Sequence, residues 1–452
     1  MLHGGRRFEA GLEAVAGALG RAPDARARAR CLLERARLLR DAGRVEPSFA
    51  AYDQAARAAA SDTAVRATAG WEKALELEAR GRRAAAATTY AALAAGGGER
   101  REVGAFRLGL LRLAEGRPDR AGAAWGGDTT DRVRFWSAIV RRAMDRAGAD
   151  SILRWLAARP GYEFYRVAAR ETLGVRGWPG AVMSDGCASD SACRPLVLAR
   201  DLLGLGAGED AMLVLQRWSA DPVHGSPLIG RSDSEWVGEA GRQQAGLWLG
   251  AARIAYGAAR TPTGIRMAQR GFEIASFADT ASGWGAAPWV YPPAFDSLYT
   301  ALADSLLEPP VDRDVVRAVA WQESKFDPGA RSRSDALGLY QLKLSTASDV
   351  AKWRREPAPT ESTLRDPAVN LRYGVEYLRW LLRQFDGRLV VALAAYNSGP
   401  NAVPPRWREW IGRGGEALFC EMIPQAETRE YVRRILSTLA AYREIRPRAA
   451  ER

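Results

Sequence analysis

Histidine is almost missing from this 452-residue chain: His3 and His224 are the only two. A His-based triad or a multi-His metal site is therefore excluded, and acid/base chemistry must rest on carboxylates, Tyr or Lys. Cysteine is scarce as well, with Cys31, Cys187, Cys193 and Cys420 the full set. A structural zinc site would need more Cys or His close by, so no metal is expected. Cys187 and Cys193 share a polar loop, GCASDSACR, where a local disulfide and two free thiols both fit the sequence. No run approaches about 18 uninterrupted apolar residues, so no transmembrane helix is expected. The N-terminus, MLHGGRRFEAGLEAVAGALG, has two Arg but no apolar core behind them and is not a secretory signal as written. A removed signal, a different start and another export route all remain open. Lysine occurs only at Lys73, Lys325, Lys343 and Lys352, so the positive charge is almost entirely Arg.

That charge is large, formally +12. A basic surface favours an anionic partner such as nucleic acid, anionic lipid or an acidic cell-wall polymer, although an Arg-, Ala- and Gly-rich composition is also what a GC-rich genome gives. No nucleic-acid motif and no basic helix with interleaved aromatics is visible, so nucleic acid is not expected as a partner. The hydrophobic fraction of 47% supplies packed cores. The length exceeds one core, and two or three domains are expected.

Residues 1–130 read as helical repeats. Gly43-Arg44, Gly81-Arg82 and Gly116-Arg117 each follow a helical segment, and Tyr52, Tyr90 and Trp125 each come nine residues after their Gly. A helix, a Gly turn and a helix carrying an aromatic form the unit of a helix-pair solenoid near the tetratricopeptide period. Stacked pairs bury a continuous apolar face that one pair cannot. Ordinary helical hairpins with coincidental spacing are the alternative. Residues 131–307 continue with weaker periodicity. VRFWSAIVRRAM, PLVLARDLLGLG, QQAGLWLGAARIAYGAA and GIRMAQRGFEIASF all space apolar residues by three and four, as helices do. Turn formers mark linkers at 185–193 and 221–234. WGAAPWVYPPAF reads as an ordered junction, and the last domain is expected from about 308 to 452. Strand-like alternation is nearly absent, so the fold expected is all-α.

Chemistry concentrates after Val311. VDRDVVRAVAWQESKFDP reads as a helix whose apolar stripe, Val315, Val316, Val319 and Ala320, leads to Glu323. A carboxyl kept from water and from cations has its pKa raised, which is what a general acid needs. Taken alone, this helix favours a surface Glu323, and the blocks that follow change the weighing. In the next segment Gly338 permits close backbone approach, Gln341 can hydrogen-bond a sugar, and a helix is expected to begin near Ser345 as N-cap. Asp366 is expected to cap a helix with Pro367 at its first position. LVVALAAYNSGPNAV reads as an apolar helix that ends at Tyr396 and Asn397, a suitable lining for a saccharide cleft. Asp327 and Asp335 sit beside turn formers, where capping or exposure is expected rather than catalysis.

Together these blocks resemble the catalytic domain of soluble lytic transglycosylases, relatives of goose-type lysozyme. The blocks are Glu323-Ser324, GLYQ at 338–341, Asp366 to Asn370, AYNSGP at 395–400, Ile423-Pro424 and Glu427 to Val432. The resemblance implies a lysozyme-like, mainly α domain after a helical-repeat superhelix, in the periplasm or cell envelope, acting on peptidoglycan glycan strands without a cofactor. It implies Glu323 as the sole catalytic acid and then base, forming 1,6-anhydro ends on N-acetylmuramic acid. Ser324, Gln341, Tyr340, Tyr396 and Asn397 would line the substrate site, and Glu427, Arg429 and Tyr431 would edge or brace it. Tyr340 replaces the family's usual Met, Lys343-Leu344 its common Met-Pro, and Ser398 its Ala. The alternatives are a goose-type-lysozyme-like hydrolase, or an inactive glycan-binding or scaffold protein. The repeats would offer a wall for glycan or a protein partner.

Overall fold

The computed structural model describes residues 2–59, 62–96, 100–126, 128–175, 183, 194–220, 238–303 and 311–445. Both expected linkers lie outside these residues, and with them Cys187 and Cys193. Among the described residues every regular element is helical, apart from isolated bridges that pair Leu337 with Arg331 and with Leu342. The all-α expectation therefore holds. The chain divides into two compact units.

The first unit comprises Met1–Ile152 and Asn401–Arg429. Its repeats show why the glycines recur. Gly43, Gly81 and Gly116 adopt φ of 75°, 72° and 77°, a left-handed conformation that glycine takes without steric penalty. The next N–H then reaches back to the helix just ended. Arg44 donates to the Leu39 carbonyl at 2.8 Å, Arg82 to Leu77 at 2.8 Å and Arg117 to Arg112 at 2.9 Å. This closure satisfies a carbonyl the helix end leaves open. The following helices, Val45–Ala58, Arg83–Ala95 and Pro118–Trp125, carry the spaced aromatics inward, and Tyr52, Tyr90 and Trp125 are all buried. Each also finds a polar partner: Tyr52 donates to Glu72 at 3.1 Å, Tyr90 to Glu78 at 2.9 Å and the Trp125 indole to the Phe106 carbonyl at 3.1 Å.

The segment 401–429 belongs to this same unit. Its helix, Trp407–Met422, is interrupted at Gly414 and Gly415 and buries Leu418, Phe419 and Cys420. The buried Arg107 guanidinium donates both to Glu78 and to the Glu421 carbonyl, and Arg413 donates to the Ala114 carbonyl. A buried cation with a carboxylate and a carbonyl partner is a specific lock between helices distant in sequence.

The second unit comprises Leu153–Pro400 and Glu430–Arg452. The four segments with three-and-four apolar spacing all form helices, in the two units together: Asp131–Arg141, Arg194–Gly204, Glu239–Gly257 and Thr261–Ala278. The Trp- and Pro-rich stretch is more helical than expected, since Thr280–Val290 forms a helix that holds Pro288 in its last turn. Tyr162, Val167, Trp284, Ala287 and Ala441 pack into one core. Of the two expected helix caps, one is found and one is corrected. Asp366 caps Pro367–Gln384, its carboxylate accepting the Val369 N–H at 2.9 Å. The helix expected at Ser345 instead begins at Leu344 with extended Lys343 before it and no side-chain cap. The extended backbone of Lys343 already ends the preceding turn, and Ser345 falls inside the first helical turn.

Candidate active site

The helix Arg313–Ser324 carries Glu323. Asp312 starts it by accepting the Asp314 N–H at 2.9 Å. Val315, Val316, Val319 and Ala320 are buried, as their spacing requires. Arg317 holds the helix by donating to Asp314 at 2.9 Å and to Asp296 at 2.7 Å. The Trp321 indole donates to the Val290 carbonyl at 3.0 Å, and its ring lies 5.5 Å from that of Tyr291. These contacts leave the helix little freedom to rotate, so the position of its last turn is set.

Beyond Ser324 the chain turns sharply. Lys325 and Phe326 both have positive φ, 54° and 63°, which is uncommon for residues with a side chain. The Lys325 N–H closes the helix on the Trp321 carbonyl at 3.0 Å. Phe326 is buried against Phe295 and Tyr299, and this packing offsets the backbone cost.

A loop over residues 330–342 faces the end of this helix and is held by a buried asparagine. Asn370 donates to the Leu337 and Leu364 carbonyls, both at 2.8 Å, and accepts the Tyr340 N–H at 2.8 Å. Gly338 is required here. Its φ is 73°, and a Cβ would stand 2.4 Å from Asn370 Nδ2 and 2.7 Å from the Leu364 carbonyl. Ser324 ties helix to loop, its hydroxyl meeting the Leu339 carbonyl at 3.0 Å and the Ala320 carbonyl at 3.2 Å.

Glu323 stands at the end of this helix, facing Tyr431. Tyr431 donates its hydroxyl to Glu323 Oε1 at 2.5 Å. Burial raises the carboxyl to about 7, against opposing pulls from the Tyr431 hydrogen bond and the Lys325 charge. Lys325 sits with Nζ 3.2 Å from the Trp321 ring centroid. Burial and the charge of Arg434 lower it to about 7, while Glu323 pulls the other way. Burial and the Glu323 charge push the hydroxyls of Tyr396 and Tyr431 well up, so both stay protonated donors at any working pH. Nearby carboxylates are engaged in turns, as expected: Asp327 accepts the Gly329 N–H at 2.9 Å, and exposed Asp335 pairs with Arg331 at 2.8 Å. No group of three or more Cys, His, Asp or Glu that could hold a metal occurs among the described residues.

The other expected site residues divide. Tyr396 is half-buried, with its hydroxyl on the Tyr340 carbonyl at 2.8 Å. Asn397 follows it at the helix end and is exposed. Tyr340 does not line the substrate surface. It is 0% exposed, donates to the Val316 carbonyl at 2.8 Å and fills the space left by Gly374, where a Cβ would meet its ring at 2.2 Å. An aromatic with a hydroxyl here becomes a core strut rather than a wall, because the carbonyl captures that hydroxyl. Gln341, at φ 46°, spends its amide nitrogen on the Gly338 and Ala330 carbonyls at 2.9 and 3.2 Å and so shapes its own loop. Exposed Glu427 and half-buried Arg429 belong to the first unit, where Arg429 donates to the Ile423 carbonyl at 2.7 Å. Two contributors were not singled out from sequence. Lys325 is one of only four lysines and stands two residues from the acid. Asn370 was visible only as the end of a helix-start motif.

Residues 304–416 match the Transglycosylase SLT domain family. This segment is therefore similar to the catalytic domain of soluble lytic transglycosylases. The soluble lytic murein transglycosylase of Escherichia coli K12 is 34% identical over 138 residues, a stretch covering 29% of this chain and 21% of that protein. The Salmonella typhimurium protein of the same name is 32% identical over 160 residues, 34% of this chain and 23% of that protein. These sequence matches thus span under a quarter of the relatives' length. In fold the likeness is longer. The lytic transglycosylase Slt of Pseudomonas aeruginosa, solved as an inactive Glu-to-Gln mutant, superposes with a TM-score of 0.65 at 22% identity, covering 96% of this chain and 67% of that one. The 70-kDa soluble lytic transglycosylase of E. coli gives 0.58 at 19% identity, over 95% and 78%.

Proposed function

We propose that the chain is a peptidoglycan lytic transglycosylase of the cell envelope that cleaves the β-1,4 bond from N-acetylmuramic acid to N-acetylglucosamine. The observation that carries this reading is Glu323, a half-buried carboxyl raised to about 7 by desolvation, with the Tyr431 hydroxyl on one oxygen. Near neutral pH such a group is present in both forms and can give and take a proton.

The reaction runs in two proton transfers. Neutral Glu323 protonates the glycosidic oxygen as the bond to C1 breaks, and N-acetylglucosamine leaves as the alcohol. The substrate's own N-acetyl group shares the positive charge at C1. The C6 hydroxyl of the same muramic acid then attacks C1 and returns its proton to Glu323, so the enzyme ends as it began and no water enters. Most glycosidases pair two carboxylates. One suffices here because the nucleophile is already attached, at high effective concentration. The engagement of Asp327 and Asp335 in turns agrees with a single acid. The inactivity of a Glu-to-Gln mutant of the Pseudomonas relative supports a glutamate as the essential group.

Digestion of purified peptidoglycan with the full chain tests this directly. Muropeptides with 1,6-anhydro ends are expected, lighter by one water than hydrolytic products. Reducing-end products would make the enzyme a hydrolase of the goose-lysozyme kind, and intact glycan would leave a binding protein.

A further inference from the structure

A row of aromatic rings runs from the candidate site to the protein surface. Tyr396 stands 5.4 Å from Tyr377, Tyr377 lies nearly parallel to Trp380 at 5.9 Å and 13°, and Trp380 stacks on Trp353 at 5.2 Å and 27°. Burial falls along the row. Tyr396, Tyr377 and Trp380 are half-buried, and Trp353 is 44% exposed. The rings come from three helices, Leu344–Arg354, Pro367–Gln384 and Leu389–Ser398, so tertiary packing and not one amphipathic stripe brings them together.

An indole that is 44% exposed costs solubility and adds little to a core it barely enters. Its ring has an obvious complement in a pyranose, whose axial C–H bonds present an apolar face while its hydroxyls stay in water. One carboxylate stands close to the rings. Asp349 lies one turn before Trp353 on the same helix and accepts from Lys352 at 3.0 Å, and its charge reaches the Tyr377 hydroxyl. Apolar faces with a few polar groups at their edge are the usual make-up of a small-ligand site.

We propose that Trp353, Trp380 and Tyr377, with Asp349 at their edge, form a sugar-stacking platform that holds the glycan strand away from the bond being cleaved. The inference rests on the reading of the chain as a glycan-cleaving enzyme and adds to it a preference for strands long enough to reach Trp353. Binding energy from remote sugars then serves cleavage, as in any enzyme that holds its substrate beyond the reacting centre.

The test compares wild type with Trp353→Ala and Trp353→Phe, all as the full chain, on isolated glycan strands sorted by length. Loss of one stacking partner is expected to raise KM on long strands roughly 3- to 10-fold. The kcat, and the kcat/KM for the shortest strand that is cut, should be unchanged. Phe should restore most of the long-strand KM, which a merely structural role would not require. A long-strand KM within 2-fold of wild type in Trp353→Ala, or equal loss on short and long strands, overturns the platform and assigns the exposed indole to another occupant. Tryptophan fluorescence titrated with the same strands separates the two readings. If wild type cuts nothing yet long strands quench its fluorescence and not that of Trp353→Ala, the enzymatic reading fails and the platform stands. If wild type cuts glycan and the variants titrate alike, the reverse holds.

Discussion

Glu323→Gln is expected to lower peptidoglycan cleavage by about 10²- to 10⁴-fold, the usual worth of a general acid, with glycan binding retained. The same change should stabilise the fold at alkaline pH. The folded carboxyl sits at about 7 against an ordinary 4.5, because burial disfavours its charged form. Its share of stability is therefore complete below pH 4.5 and is lost as the pH rises through 7. Gln has no such loss. At pH 8 the variant should exceed wild type by on the order of 2–3 kcal/mol, and at pH 4 the two should agree. Cleavage assays and thermal melts at the two pH values check both halves. Full activity, or a variant less stable than wild type at pH 8, contradicts a dry, near-neutral acid at this position.

Asn370→Ala should carry the largest stability cost of any single change near the site. Its amide satisfies two buried carbonyls and one buried N–H, each at 2.8 Å, and it is 0% exposed. Alanine leaves the Tyr340 N–H and the Leu364 carbonyl without this partner, while the Leu337 carbonyl keeps the Leu342 N–H at 3.0 Å. Each buried unsatisfied group costs about 1–3 kcal/mol, so a loss of about 3–5 kcal/mol by urea denaturation is expected. Cleavage should fall together with the fold, since this residue holds the loop that Ser324 ties to the helix carrying Glu323. A loss below about 1 kcal/mol would mean that the loop keeps its shape without the asparagine.

What was legible in the sequence follows from how local each feature is. The turn glycines and the aromatics nine residues behind them were readable, because a left-handed turn and a buried ring recur at fixed spacing. The helix Arg313–Ser324 was readable too, since its four apolar positions recur at helical spacing, although Glu323 itself drew attention only with the blocks that follow it. Asp366 declared itself as a cap through the Pro behind it. The features that were missed depend on distant chain. Tyr340 looked like a cleft wall until the Val316 carbonyl, 24 residues away, was seen to take its hydroxyl. Gln341 looked free to meet a sugar, yet its amide nitrogen is bound to backbone. Lys325 gave no local signal, because its lowered pKa comes from burial and from Arg434 on the last helix. Helical periodicity could not show that the helix Trp407–Met422 joins the repeats, as Arg107 meets Glu421 across more than 300 residues.

The most direct measurement is the titration of Glu323 itself, by carbon NMR of the side-chain carboxyl in selectively labelled protein, in wild type and in Tyr431→Phe. A midpoint near 7 is expected in wild type, and a higher one in the variant, since the Tyr431 hydroxyl favours the charged form. A wild-type midpoint near 4.5, unmoved by the loss of Tyr431, would show a solvated carboxylate and contradict the proton donor on which the proposed reaction depends.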